Sequence, residues 1–171
     1  FDWRLVEKAL ARYEQCATTI DGQRIHFLHA RSPHPGALPL VVTHGWPGSI
    51  LEFMKVVGPL ADPVSHGGEA RDAFHVICPS IPGYGFSEPT RARGWDVQRV
   101  AEAWIELMGR LGYSRYGAQG GDWGALVTTQ IGRLDPDGEG KVSCVIVPGV
   151  AVRLSARIIR VTAPNPGVMT G

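Results

Sequence analysis

At 171 residues the chain is long enough for one domain with a buried core and too short for two comfortable ones. A hydrophobic share of 44% against 19% charged excludes a disordered chain, and a net charge of +1 gives no electrostatic basis for binding nucleic acid or an anionic membrane surface. The three cysteines, Cys16, Cys78 and Cys144, form no C-x-x-C pair, which argues against a disulfide framework or zinc site and favours a reducing, cytoplasmic compartment.

No apolar run approaches the roughly 18 residues that cross a bilayer, so no membrane span is expected. No signal peptide opens the chain, and its start at Phe1 rather than Met leads us to expect sequence upstream. In chain order, Leu5, Val6, Ala9, Leu10 and Tyr13 recur at helical steps and predict a helix from Phe1 to about Gln15. Two β segments follow, Cys16–Ile20 and Arg24–Ala30, joined by the hairpin signal Asp21-Gly22. After the turn at residues 32–36, the run Leu40-Val-Val42 has no alternation, as in a strand buried on both faces. Ser49 is placed to cap a helix reaching about Leu60. Residues 62–72 read as a surface loop, and Phe74 to Cys78 as a second buried strand entering the turn-rich segment PSIPGYGFS.

Asp96 to Gly112 is the clearest helix, with Val97, Val100, Ala101, Trp104, Ile105, Leu107, Met108 and Leu111 on one face and Gly112 at its C-terminal stop. Tyr113 to Gln119 is a weak strand signal. Asp122 to Leu134 reads as a helix stopped by Asp135-Pro136, and Val142 to Val147 as a buried strand. Strands alternating with helices predict an α/β fold, a mostly parallel sheet covered by helices on both faces. The last thirty residues have no acid after Glu139, while Lys141, Arg153, Arg157 and Arg160 accumulate before Pro164-Asn-Pro-Gly167. This tail reads first as disordered or poorly packed, and alternatively as the artificial end of a longer gene.

Two segments carry chemistry. Gly120-Gly121-Asp122-Trp123-Gly124 has the form G-x-nucleophile-x-G between a strand and a helix, with Gly120, Gly121 and Gly124 expected to support the nucleophile. Small residues two before and two after the nucleophile let such a turn close, and the helix N-terminus favours negative charge there. The usual nucleophile at such an elbow is Ser, and here it is Asp122. Taken alone, Asp122 could equally be a helix N-cap. His44-Gly45-Trp46-Pro47-Gly48 follows a buried strand upstream. It is either a breaker-rich turn with a locally satisfied His44 or the source of one oxyanion-hole amide, the other coming from the residue after the nucleophile. Those amides would be Trp46 and Trp123. Two suitable loops in the right order, each after a strand, favour the catalytic reading.

Three segments, HGWPGSILEF at 44–53, PSIPGYGFS at 79–87 and GYSRYGAQGGDWG at 112–124, resemble signature stretches of microsomal and juvenile-hormone-type epoxide hydrolases. The opening FDWR, Tyr13 and IDGQRIHF at 20–27 resemble the end of that family's N-terminal segment. The similarity covers roughly residues 1 to 135. It implies an α/β-hydrolase core truncated before the cap and the last strands: 1–15 as the end of the N-terminal segment, 16–150 as partial core and 151–171 as a divergent tail. It implies hydrolysis of a small apolar epoxide to a vicinal diol through an ester on Asp122, with no metal and no cofactor. It also implies a cis peptide before Pro47, two cap tyrosines, a histidine base and an acid.

Those last three parts have no counterpart here, since all six histidines precede Asp122 and, in this architecture, the base follows it. The fragment is therefore expected to lack turnover. Tyr84 and Phe86 are expected to line the pocket, with Tyr84 not assigned to epoxide activation. His26 and His29, three apart on a strand, face opposite sides and make poor metal ligands. Trp3, Trp95 and Trp104 read as core or interface aromatics, and Gly83 and Gly85 lack the Lys-Ser/Thr of a phosphate loop. The alternatives are a non-catalytic remnant or interaction module, self-associating through the last strand's sheet edge, and a haloalkane dehalogenase, which shares an aspartate followed by Trp-Gly.

Overall fold

The computed structural model describes residues 2–134 and the backbone of Val142–Ile146. The proposed tail, 151–171, lies outside the described residues, as do Lys141 and the Asp135-Pro136 stop.

The first helix, α1 (Trp3–Leu10), is capped by the Asp2 side chain accepting from the Arg4 amide. It ends sooner than the apolar spacing suggests, because Gln15 belongs to β1 (Glu14–Ile20) and donates its Nε2 to the terminal carbonyl of Leu10 at 2.9 Å. Strand β1 turns into β2 (Gln23–Ala30) through Asp21 and Gly22, with φ of 48° and 74°. Two consecutive positive φ values are what a tight type I′ hairpin requires, and Asp-Gly tolerates them.

Strand β3 (Leu38–Thr43) leads to the loop carrying His44. Ser49 caps as expected, in a reciprocal pairing with Glu52, but the helix it starts is a single 3₁₀ turn, Ile50–Phe53. A new helix, α2 (Val57–Ala61), then begins. A continuous helix to Leu60 would drive the ring of Pro59 into the carbonyl four residues earlier, whereas in the first turn of α2 proline is tolerated. Residues 62–72 are a loop holding two short 3₁₀ turns. Next come β4 (Phe74–Pro79), α3 (Val97–Arg110), β5 (Tyr116–Gly120), α4 (Trp123–Leu134) and β6 (Val142–Ile146). Asp96 caps α3 by accepting from Arg99, and Gly112, at φ 80°, leaves it in the left-handed conformation.

The six strands form one sheet in the order β1-β2-β4-β3-β5-β6. β1, β2 and β4 pair antiparallel, whereas β4, β3, β5 and β6 run parallel. Strand residues alternate between two cores. On one face Ile25, Phe27, Val41, Ile77 and Ala118 meet Val100, Trp104, Leu107, Val127 and Ile131 of α3 and α4. On the other, Leu28, Leu40, Val42, Val76 and Cys78 meet Leu10, Ile50, Val57 and Ala61 of α1, the 3₁₀ turn and α2.

The chain leaves β3 for β4 on one side and returns to β5 on the other. The carboxyl ends of β3 and β5 therefore flank the point where strand order reverses, the place where open α/β sheets bind ligands. Their loops hold both chemical motifs.

Candidate active site

The register pairs Thr43 with Gly120, so the residues that follow, His44 onward and Gly121 onward, leave the sheet side by side. A β-carbon at Gly124 would run into the Thr43 carbonyl and lie 3.0 Å from that of His44, and one at Gly120 would overlap the Gly124 backbone. Those two glycines let α4 seat directly on the strand ends. Gly121 differs from its expected supporting role: a β-carbon there meets nothing within 4 Å.

Between these glycines Asp122 has φ 53°, a left-handed conformation that a non-glycine residue adopts at a cost of order 1–3 kcal/mol. The N-cap reading does not account for the contacts of its carboxylate. The side chain turns across to the neighbouring loop, where Oδ1 accepts from the Trp46 amide at 2.8 Å. Amide hydrogen bonds from Trp46 first and Trp123 second hold its carboxyl below the usual carboxylate range. Asp122 is thus an ionised, solvent-exposed carboxylate between two backbone donors. Gly45 makes this approach sterically feasible, since a β-carbon there would stand 2.8 Å from Asp122 Cβ.

The Trp46–Pro47 peptide is cis. Gly48 packs against the Glu52 carboxylate, which accepts from the Ser49 amide. His44 is fully buried, with Nδ1 2.9 Å from Gly45 O and Nε2 3.0 Å from Ile81 N. The Ile81 contact, linking this loop to PSIPGYGFS, has no local sequence signature. Nor does the 3.0 Å bond from Trp104 Nε1 to Thr43 Oγ1, which ties α3 to the end of β3.

Beside the elbow lies a cleft of about 580 Å³ whose walls include Tyr84, Trp95, Val100, Trp123 and Val127. Tyr84 lines it and sets its ring edge-on to His44. Phe86 does not line it; its ring packs 5.1 Å from that of His26. Trp104 is core, Trp95 lines the cleft with the Arg99 guanidinium 4.4 Å over its ring, and Trp3 is 45% exposed.

The other histidines are engaged elsewhere: His26 with Ser80 and Gln15, His29 with Tyr113, His34 and His66 with Asp62, and His75 with the Ser32 amide. Among the described residues no three His, Cys, Asp or Glu side chains form a group able to hold a metal ion. No helix is long and apolar enough to cross a membrane among those residues.

The chain is similar to known proteins over most of its length. Residues 39–149 match the alpha/beta hydrolase fold family, and residues 1–53 match the epoxide hydrolase N terminus. A putative epoxide hydrolase of Stigmatella aurantiaca is 56% identical over 138 residues, 81% of this chain and 31% of that protein. Epoxide hydrolase 1 of Oryctolagus cuniculus is 46% identical over 140 residues, 80% of this chain and 31% of that protein. The crystal structure of juvenile hormone epoxide hydrolase from the silkworm Bombyx mori superposes with a TM-score of 0.74 at 32% identity, covering 91% of this chain and 36% of that one. Aspergillus niger epoxide hydrolase gives a TM-score of 0.70 at 32% identity, covering 99% of this chain and 40% of that one. The chain spans 31% of the length of the curated relatives just named. It belongs to the alpha/beta hydrolase fold family, in the branch that opens with the epoxide hydrolase N terminus.

Proposed function

We infer that Asp122 is the nucleophile of an epoxide-opening reaction on small apolar epoxides. The observation that carries this reading is an exposed carboxylate on a positive-φ elbow, aimed at by the Trp46 amide. An ionised aspartate attacks a strained carbon without first surrendering a proton, as serine must. One carboxylate oxygen bonds to an epoxide carbon, the ring C–O bond breaks, and the released alkoxide takes a proton from solvent or a donor acid. Water then adds to the ester carbonyl and the acyl–oxygen bond cleaves, so epoxide plus water gives a vicinal diol. The carbonyl oxygen gains charge in that second step, and the Trp46 and Trp123 amides would hold it. One such donor is worth about 2.7–4 kcal/mol of barrier.

The second step needs a base, and each of the six histidines is engaged away from the carboxylate. The alkylation is therefore the step that the described residues support. Incubation with styrene oxide should add one epoxide mass, absent in Asp122→Asn and released by hydroxylamine as an ester should be. An adduct that resists hydroxylamine would contradict the reading.

Self-association through β6 is a separate expectation, supported by the pairing of β6 with β5 alone among the described strands. A dilution series in size-exclusion chromatography tests it, and a monomer at every concentration would reject it.

A further inference from the structure

The amide of Trp46 serves the proposed chemistry only if its N–H points at Asp122, and a loop amide that follows a glycine has no intrinsic reason to do so. Glycine lets the Gly45–Trp46 peptide plane rotate at little steric cost. In a trans peptide the C=O and N–H lie in one plane and point in opposite directions, so fixing the oxygen fixes the hydrogen. The Gly45 oxygen is fixed. It lies 2.9 Å from His44 Nδ1, while the N–H on the other side of the same peptide lies 2.8 Å from Asp122 Oδ1.

The hydrogen-bond network also dictates which ring nitrogen carries the proton. His44 Nε2 faces the Ile81 amide at 3.0 Å, and an N–H can only donate, so Nε2 must be the bare acceptor. The proton then resides on Nδ1 and is donated to Gly45 O. The ring is wholly buried, with Tyr84 edge-on at 6.3 Å between centroids. Burial pushes its pKa down, against smaller opposing effects from the Gly45 carbonyl and the Glu52 carboxylate, so the neutral tautomer persists. Ile81 follows β4, and thus the ring orientation is anchored to a second strand end rather than to its own loop.

We propose that His44 is a positioning residue, whose Nδ1–H clamps Gly45 O and so turns the Trp46 N–H onto the Asp122 carboxylate. The inference rests on the assignment of Asp122 as the reacting group. It predicts an asymmetry between the two ring nitrogens. A residue that merely ties two loops together would depend on the Ile81 contact, and a positioning residue depends on the Gly45 contact.

Two substitutions separate the contacts. In His44→Asn the side-chain amide places a donor where Nδ1–H stands and abandons Ile81. In His44→Gln the side-chain carbonyl reaches the place of Nε2, keeping Ile81 and abandoning Gly45. The readout is NMR on the isotope-labelled chain, in which a Trp46 amide bonded to a carboxylate shifts together with the Asp122 carboxyl resonance as that group titrates. Wild type and His44→Asn should show this shared titration. Folded His44→Gln should lose it, with Asp122 ionising nearer the ordinary carboxylate value. Retention in His44→Gln, or loss in folded His44→Asn, would overturn the proposal.

If neither variant folds, the ring ¹⁵N shifts of wild-type His44 decide: protonation on Nδ1 supports the clamp, and protonation on Nε2 refutes it. Epoxide adduct formation in the same wild-type sample keeps the two readings distinguishable. Shared titration without an adduct would sink the nucleophile assignment while leaving the positioning role in place.

Discussion

Gly45 and Asp122 are packed to the steric limit: a methyl group at Gly45 would lie 2.8 Å from Asp122 Cβ and 3.1 Å from Oδ1. Gly45→Ala should therefore push the carboxylate off the Trp46 amide. We expect the epoxide adduct to be lost and stability to fall by about 1–3 kcal/mol, the usual cost of overpacking. Intact-mass measurement and urea denaturation on one preparation check both.

The glycines of the elbow are not equivalent. Gly124→Ala forces a β-carbon into the Thr43 carbonyl, and Gly120→Ala forces one into Gly124. Because backbone rather than a flexible side chain must yield, each should cost about 3 kcal/mol or more, at the upper end of overpacking penalties. Gly121→Ala meets nothing and should leave the unfolding free energy measured in urea within about 0.5 kcal/mol of wild type. Equal losses at all three positions would contradict the described elbow.

Alkylation should be insensitive to mild acid. The Trp46 and Trp123 amides lower the Asp122 pKa, so its reactive carboxylate form persists as pH falls and disappears only below the ordinary value of 3.8. The rate of adduct formation should stay flat from neutrality to about pH 5, where an ordinary carboxylate is also ionised, and fall only under more acid conditions. A fall near neutrality would mean that a different group attacks.

Stability should respond to acid earlier than alkylation does. His26 has its pKa lowered from 6.5 to about 4, by burial first and by the Arg24 charge second. The unfolded chain then takes up a proton as pH drops through 6.5, whereas the folded chain does so only near 4, so stability declines across that window. His29, His44 and His75 are shifted in the same direction and contribute alike. Thermal melts at stepped pH should show a falling midpoint over this range, with a shallower slope in His26→Gln.

The parallel sheet and its helices were legible because apolar runs without alternation mark two-faced burial, and because Asp21-Gly22, Asp96 and Gly112 punctuate the chain chemically. The elbow was legible through its spacing, since Gly120 and Gly124 sit where backbone must touch backbone. The helix after Ser49 is shorter than its apolar spacing suggests, because that spacing says nothing of the clash Pro59 imposes on a continuous helix. The motif gives Gly121 the same weight as its neighbours because a motif records identity and not contact. The neighbourhood of Phe86 in PGYGFS suggests the pocket, yet its ring packs on His26. The His44–Ile81 and Trp104–Thr43 bonds join residues 37 and 61 positions apart, a separation over which no periodicity operates.

Site-resolved mass spectrometry after exposure of the folded chain to styrene oxide tests the central claim most directly. The peptide containing Gly120 to Arg133 should carry one ester, on Asp122, and Asp122→Asn should carry none. Modification confined to Cys16 or His66, or no modification of protein shown to be folded, would contradict it.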